Sequence, residues 1–211
     1  AQQPDIFPDY TDVTIPCNIA PMNFQVISQE GTAWMAEVSA EDETVFIHSG
    51  NGLISFGKGQ WKKLLSAGGE LSIRIYEKRE GKWLAYQKFS MYVNDDKVDP
   101  YLAYRLITPG YSLWREMSIC QRDLESFKER RIYSNTQGKG NCVNCHSFCD
   151  RNPDQMLFHL RSEFAGTYIF RNGGREKLDT RADSLISALV YPYWHTSGHY
   201  VAFSVNRTNQ V

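Results

Sequence analysis

The densest chemistry in the chain lies in five consecutive residues, Cys142, Val143, Asn144, Cys145 and His146. Two thiols separated by two residues can add to the two vinyl groups on one edge of a porphyrin. The histidine that follows is then placed beneath the iron as an axial ligand. The spacing predicts a covalently attached haem c, held by Cys142 and Cys145 with His146 as the proximal ligand. A sixth iron position must be filled or left open. Met156 and His159 are the near candidates in sequence, and Met156 is preferred because a thioether raises the potential and suits electron transfer. Met117, His195 and His199 are further candidates. The expected cofactor-binding set is therefore Cys142, Cys145, His146, Met156 and His159, with His146 and Met156 as metal ligands and no catalytic residue assigned.

The same cluster admits other chemistry. Cys149 adds a third thiol, and three cysteines with one histidine could make a tetrahedral zinc site. Only half of a zinc ribbon is present, because no second CxxC follows. A redox-active Cys142–Cys145 pair belongs at a strand-to-helix junction of an α/β domain, which the rest of the pattern does not suggest. A structural disulfide is the remaining alternative.

The chain has 211 residues, of which 42% are hydrophobic and 13% aromatic, with a formal net charge of −1. A chain of this length buries roughly 70% of its unfolded surface and needs no disulfide or metal simply to hold a core. Near-zero net charge gives no positive field to attract nucleic acid or anionic lipid, so neither is expected as a partner. No apolar run approaches the roughly 20 residues of a membrane span. Three of the five cysteines fall between Cys142 and Cys149, where a disulfide framework would spread them out. The first residues are Ala1-Gln2-Gln3 without a methionine, which fits a processed or trimmed N-terminus.

The elements that must position the cluster follow from periodicity. From Val13 to Val93 short alternating stretches dominate: 23–27, 32–38, 44–47, 70–76 and 83–93. Glycine-containing breakers separate them, as in an antiparallel sandwich of the immunoglobulin-like type, assigned to residues 1–97. Gln60 to Ser66 reads as a short helical turn, and His48 as a surface strand residue. Beyond Asn94-Asp95-Asp96-Lys97 the period changes. Asp99 before Pro100 reads as the start of a helix through Ile107. Ser112 reads as the cap of a longer amphipathic helix carrying Leu113, Met117, Cys120, Leu124 and Phe127. Residues 98–150 are thus expected to be a helical segment bearing the CxxCH motif. Strands return at 156–161, 167–171 and 190–205, and Asn172-Gly173-Gly174 is a hairpin signal.

The stretch Tyr191 to Ser204 resembles the repeat of TolB-like β-propellers, with Pro192, Trp194, Gly198, Ala202 and Phe203 matching; His195, Thr196 and Ser197 depart from the usual Ser-Pro-Asp. The order of parts is similar to a group of secreted or periplasmic proteins common among gut Bacteroidetes. In these a β-sandwich precedes a CxNCHSF segment and then a TolB-like propeller. Residues 15–21, Asp99-Pro100-Tyr101, Pro109-Gly110-Tyr111, 141–148, 156–161 and 191–206 carry that resemblance. It implies a mainly β fold with the start of an incomplete propeller over 151–211. Such a propeller leaves unpaired strand edges, and Ala202 to Val205 is expected to pair with another chain or to be poorly protected.

The function expected on these grounds is a periplasmic c-type cytochrome-like protein working in electron transfer or redox sensing with a cell-envelope partner. The alternative is a non-redox envelope module that binds a glycan or a protein, with CxxC structural. A haem peroxidase would need an open distal site with a general base and an arginine, for which His159 and Arg161 are on hand. No Gly-x-Ser-x-Gly, phosphate loop, HExxH or dinucleotide fingerprint occurs, so an enzyme is the less favoured reading.

Overall fold

The computed structural model describes residues 2–28, 30–109, 116–138, 140–178 and 189–205. The chain is mainly β, with several sheets and one α-helix among the described residues. It divides into two compact units: residues 1–102 with 122–128, and residues 103–121 with 129–211.

The first unit contains β1 (Ile6–Phe7), β2 (Val13–Pro16), β3 (Phe24–Val26), β4 (Ala33–Ala40), β5 (Glu43–Ser49), β6 (Leu53–Ile54), α1 (Lys58–Ala67), β7 (Gly69–Arg79), β8 (Lys82–Ala85) and β9 (Phe89–Asn94). One sheet runs β2-β9-β7-β4-β5, with β8 paired to β7; a smaller one runs β1-β3-β6. The alternating stretches become strands because each offers one apolar face. Ala36 and Val38 on β4, Leu71, Ile73 and Ile75 on β7, and Met91 on β9 are all fully buried. They form one cluster with Phe24, Val26 and Ile54 of the small sheet and with Trp61, Leu64 and Leu65 of α1. Each of the larger aliphatic side chains contributes about 1.5–3 kcal/mol on leaving water. One departure from an all-antiparallel sheet is β2, which pairs with β9 in parallel.

On β7 the inward position after Ile75 is Glu77, a carboxylate with no exposed surface. It is kept charged by donors: the Ser28 hydroxyl, the Arg79 guanidinium at 2.7 Å and the Tyr86 hydroxyl at 2.5 Å. Burial alone would push its pKa up, but the bonds from Arg79, Ser28 and Tyr86 outweigh it and hold the group below its ordinary 4.5. Gly31 is there because a Cβ at that position would lie 2.4 Å from both Glu77 Oε1 and the Trp34 ring.

The second unit contains most of β10 (Tyr101–Ile107), β11 (Met117–Asp123) and β12 (Glu129–Ser134), which form a sheet in that order. It also holds β13 (Val143–Phe148), β14 (Gln155–Leu160), β15 (Gly166–Arg171) and β16 (Gly174–Leu178), a four-stranded antiparallel meander, and the hairpin of β17 (Leu189–Trp194) and β18 (Val201–Val205). Asn172 and Gly173, with φ of 52° and 73°, make the β15–β16 turn, as the Asn-Gly signal requires. No helix among the described residues is long and apolar enough to cross a membrane.

The two helices expected between 99 and 127 are corrected. Tyr101–Ile107 and Met117–Asp123 are strands, and Leu124 and Phe127 fall in the turn after β11. Ser112 and Leu113 lie outside the described residues. The reason is burial on both faces: Met117, Ser118, Ile119 and Cys120 are consecutive and all buried. Apolar residues three apart on such a strand imitate a helical stripe. The turn is organised by the Asp123 carboxylate, which accepts bonds from the Glu125 amide and the Ser126 hydroxyl.

Because the folded pKa of Glu77 is depressed, its contribution to stability is complete above pH about 4.5 and is lost as pH falls through the folded value. Urea unfolding between pH 7 and 3 is expected to show this loss in the wild type and a flatter profile in Glu77→Gln. An equally steep acid profile in the variant counts against the assignment.

Candidate functional site

The CxxCH segment is a strand with a fault in it. β13 pairs with β14 so that Val143 faces Leu160 and Asn144 faces His159; pairing then resumes with Ser147 opposite Leu157 and Phe148 opposite Met156. Cys145 and His146 together therefore oppose the single residue Phe158, a two-against-one β-bulge. Cys145 takes the left-handed conformation that the bulge needs, at φ 56°. Its amide donates to Asn144 Oδ1 at 2.8 Å. For a residue with a Cβ this backbone costs about 1–2 kcal/mol.

Around the bulge the packing is apolar. Val143, Met156, Phe158 and Leu160 form a buried cluster with Met117 and Ile119, and Cys142 packs at its margin with Tyr133, Phe148 and Phe170. The Phe158 ring lies 5.2 Å from Tyr133, 5.7 Å from Tyr168 and 5.4 Å from Phe170. The Cys142 carbonyl accepts a bond from the Arg161 amide at 3.0 Å, which ties the entry of the motif to the end of β14.

His146 is half-buried. Burial pushes its pKa below the ordinary 6.5 and the Arg105 charge adds to that; a hydrogen bond from the imidazole to the Ala103 backbone opposes both without cancelling them. The neutral form, the one that can bind a metal, is favoured.

The remaining candidates are dispersed. Met156 and His159 are an odd number of residues apart on β14, so they face opposite sides of the sheet. Met156 joins the cluster on the Phe158 side. His159 is 2% exposed, with Nδ1 3.2 Å from Thr167 Oγ1. Cys149 is buried with Leu157, Ile169 and Trp194 in a separate cluster. Met117 is a core residue of β11. His195 is exposed and closes the β17–β18 turn, its Nδ1 accepting the Ser197 amide at 3.1 Å; His199 is exposed in the same turn. All five cysteines are free thiols. Among the described residues no group of three or more His, Cys, Asp or Glu side chains is placed to hold a metal, so Cys142, Cys145, His146 and Cys149 do not make a zinc centre.

A haem c matches the donor set that the bulge offers: two unbridged, partly exposed thiols and an imidazole biased to its neutral form. Asn141, directly before Cys142, is buried, and its Nδ2 has no hydrogen-bond partner. The CxxCH spacing gives no sign that Asn141 is buried without a partner, since that depends on the folded surroundings. No family model and no curated protein matches the chain.

Two outcomes are expected of the unloaded protein. Replacing the left-handed residue by Cys145→Gly leaves stability unchanged or raises it by up to about 1 kcal/mol, whereas Cys145→Val lowers it by about 1–2 kcal/mol. Both are measured by urea unfolding. The pKa values of His146 and His159 are both lowered from 6.5, His159 by burial first and Arg161 second. Their contribution to stability is therefore complete above pH about 6.5 and declines as pH falls through the lowered values. Unfolding free energy should drop between pH 7.5 and 5, and less steeply in His159→Gln.

Proposed function

We propose that the chain is a periplasmic or secreted c-type cytochrome-like protein, carrying a covalent haem on the 142–146 bulge for electron transfer or redox sensing with an envelope partner. The observation that carries this reading is the bulge itself, which sets the second thiol and the imidazole side by side against one residue of the neighbouring strand. Cys142 and Cys145 would form the thioethers and His146 the axial bond. The aromatic cluster around Phe158 supplies an apolar wall that lowers the local dielectric. When bound, the iron supplies reversible one-electron chemistry. Met156, on the Phe158 side of β14, is the distal candidate; His159, turned to the other side and bonded to Thr167, is kept as a buried structural imidazole. In the same reading the first unit, with two sheets sharing one core, is an immunoglobulin-like sandwich. The β13–β16 meander is one blade of a TolB-like propeller, and β17–β18 is the start of the next.

A second reading is favoured by a different observation. Tyr191, Tyr193 and Tyr200 on the β17–β18 hairpin are 54%, 76% and 71% exposed. A row of exposed tyrosines suits a binding face for a glycan or an envelope protein, with the bulge then serving structure alone.

Periplasmic expression with the cytochrome maturation machinery separates the two. The pyridine haemochrome spectrum of the denatured wild type is expected to show one covalent haem, lost in Cys142→Ser/Cys145→Ser. Met156→Ala is expected to retain the haem and lower its reduction potential. Wild type matured in this way without covalent haem would remove the redox reading.

A further inference from the structure

The large sheet of the first unit turns one face to the core, and its other face carries aromatic rings that the core does not use. Outward positions on such a sheet are ordinarily polar. A single exposed ring needs no explanation, whereas a set of them on one face marks a place of contact. Phe46 on β5 and Trp83 on β8 are 53% and 48% exposed, and Tyr76 on β7 is partly exposed. Register puts all three on the same face. Phe46 stands opposite Glu37, and Glu37 opposite Arg74. Tyr76 follows Arg74 by two residues, and Lys78, two further on, stands opposite Trp83. Phe46, Tyr76 and Trp83 therefore lie on one diagonal, separated by about 12 Å and then about 8 Å at the usual strand spacing and rise.

The ground between the rings is charged. Glu37 and Arg74 separate Phe46 from Tyr76, and Lys78 adjoins both Tyr76 and Trp83. The Tyr76 hydroxyl donates to Glu37 Oε2 at 2.7 Å, while Arg74 Nε has no hydrogen-bond partner. A protein seated here would have to cover these charges, and the centres of protein interfaces are depleted of charge because burying it is costly. One carboxylate beside two cations is close to balanced, so no polyanion is called for. A neutral sugar chain fits both features. Its rings have C–H-lined faces that lie flat on aromatic side chains, and its hydroxyls donate to a carboxylate and accept from a guanidinium or an ammonium.

We propose that this outer face binds a neutral oligosaccharide in extended form, stacked on Phe46, Tyr76 and Trp83 and hydrogen-bonded by the charged groups between them. The site is independent of the haem reading and of the tyrosines on β17–β18, because all of its residues belong to the first unit.

The test is affinity electrophoresis of the full chain through native gels, each holding one neutral polysaccharide: hydroxyethylcellulose, xyloglucan, galactomannan, arabinoxylan, laminarin or glycogen. At least one is expected to retard the wild type. Phe46→Ala and Trp83→Ala should each weaken the affinity about tenfold. The double variant should lose about a hundredfold, since the two positions are far enough apart to act independently. Both side chains are exposed, so the variants should melt with the wild type, and lost retardation cannot then be ascribed to unfolding. Tyr193→Ala, on β17, should leave the affinity unchanged. Mobility unaffected by every polysaccharide overturns the proposal. Retardation that survives Phe46→Ala/Trp83→Ala, or that Tyr193→Ala abolishes, overturns it too and moves sugar binding elsewhere. A dimer in sedimentation equilibrium that Phe46→Ala/Trp83→Ala disperses assigns the face to a second copy instead.

Discussion

The second unit depends on one extra residue in β13. Strand alternation is strict, so a single insertion moves every later side chain to the opposite face. Val143 belongs to the cluster of Met156, Phe158 and Leu160, and so does Phe148, although five residues separate them and a regular strand would send them to opposite sides. The bulge reconciles the two. It restores Phe148 to the cluster and leaves Ser147 on the other side, where its carbonyl meets Trp194 Nε1 at 3.4 Å. Cys145 and His146 are the residues released from pairing by that adjustment. Their special position and the integrity of the core are thus one constraint rather than two, and the left-handed backbone at Cys145 is its cost.

Three buried polar side chains are met in contrasting ways. In the first unit, Glu77 occupies a core position and is surrounded by donors from a loop, its own strand and Tyr86, so its charge is fully answered. In the second unit, His159 is buried with a single hydroxyl partner, and Asn141 is buried with an amide that has none. A satisfied network fixes one geometry, whereas an unsatisfied donor leaves a place with affinity to spare.

How much was legible in the sequence varies by element. The strands of the first unit read correctly from alternation because each has one covered and one open face. The Asn172-Gly173 turn read correctly because only a few residue types tolerate its backbone. β11 did not, since burial on both faces erases the period-two signal. Asp99-Pro100 resembled a helix cap although the chain beyond it is extended. The CxxCH spacing was plain, but spacing does not reveal a bulge; register with β14 creates it, and register is a long-range property. Glu77 was invisible for a related reason. A lone acid within an apolar alternation reads as a surface residue until Ser28 and Tyr86, distant in the chain, are brought to it. The placement of Met156 and His159 on opposite faces, by contrast, followed from their separation once β14 was known to be a strand.

The parallel pairing of β2 with β9 brings Val13 beside Met91 and Pro16 beside Asn94, joining the earliest long strand of the first unit to its last. Parallel neighbours cannot form through a local turn, and closing so large a loop carries an entropic cost before any contact compensates for it. The sheet can grow outward from the β4–β5 hairpin and the β4–β7 pair as the chain emerges, but it stays open along one side until β9 has been delivered. A chain made from its N-terminus holds β2 in waiting through most of the unit's synthesis. Completion of this unit therefore waits for β9 and is slow by the standards of locally connected folds.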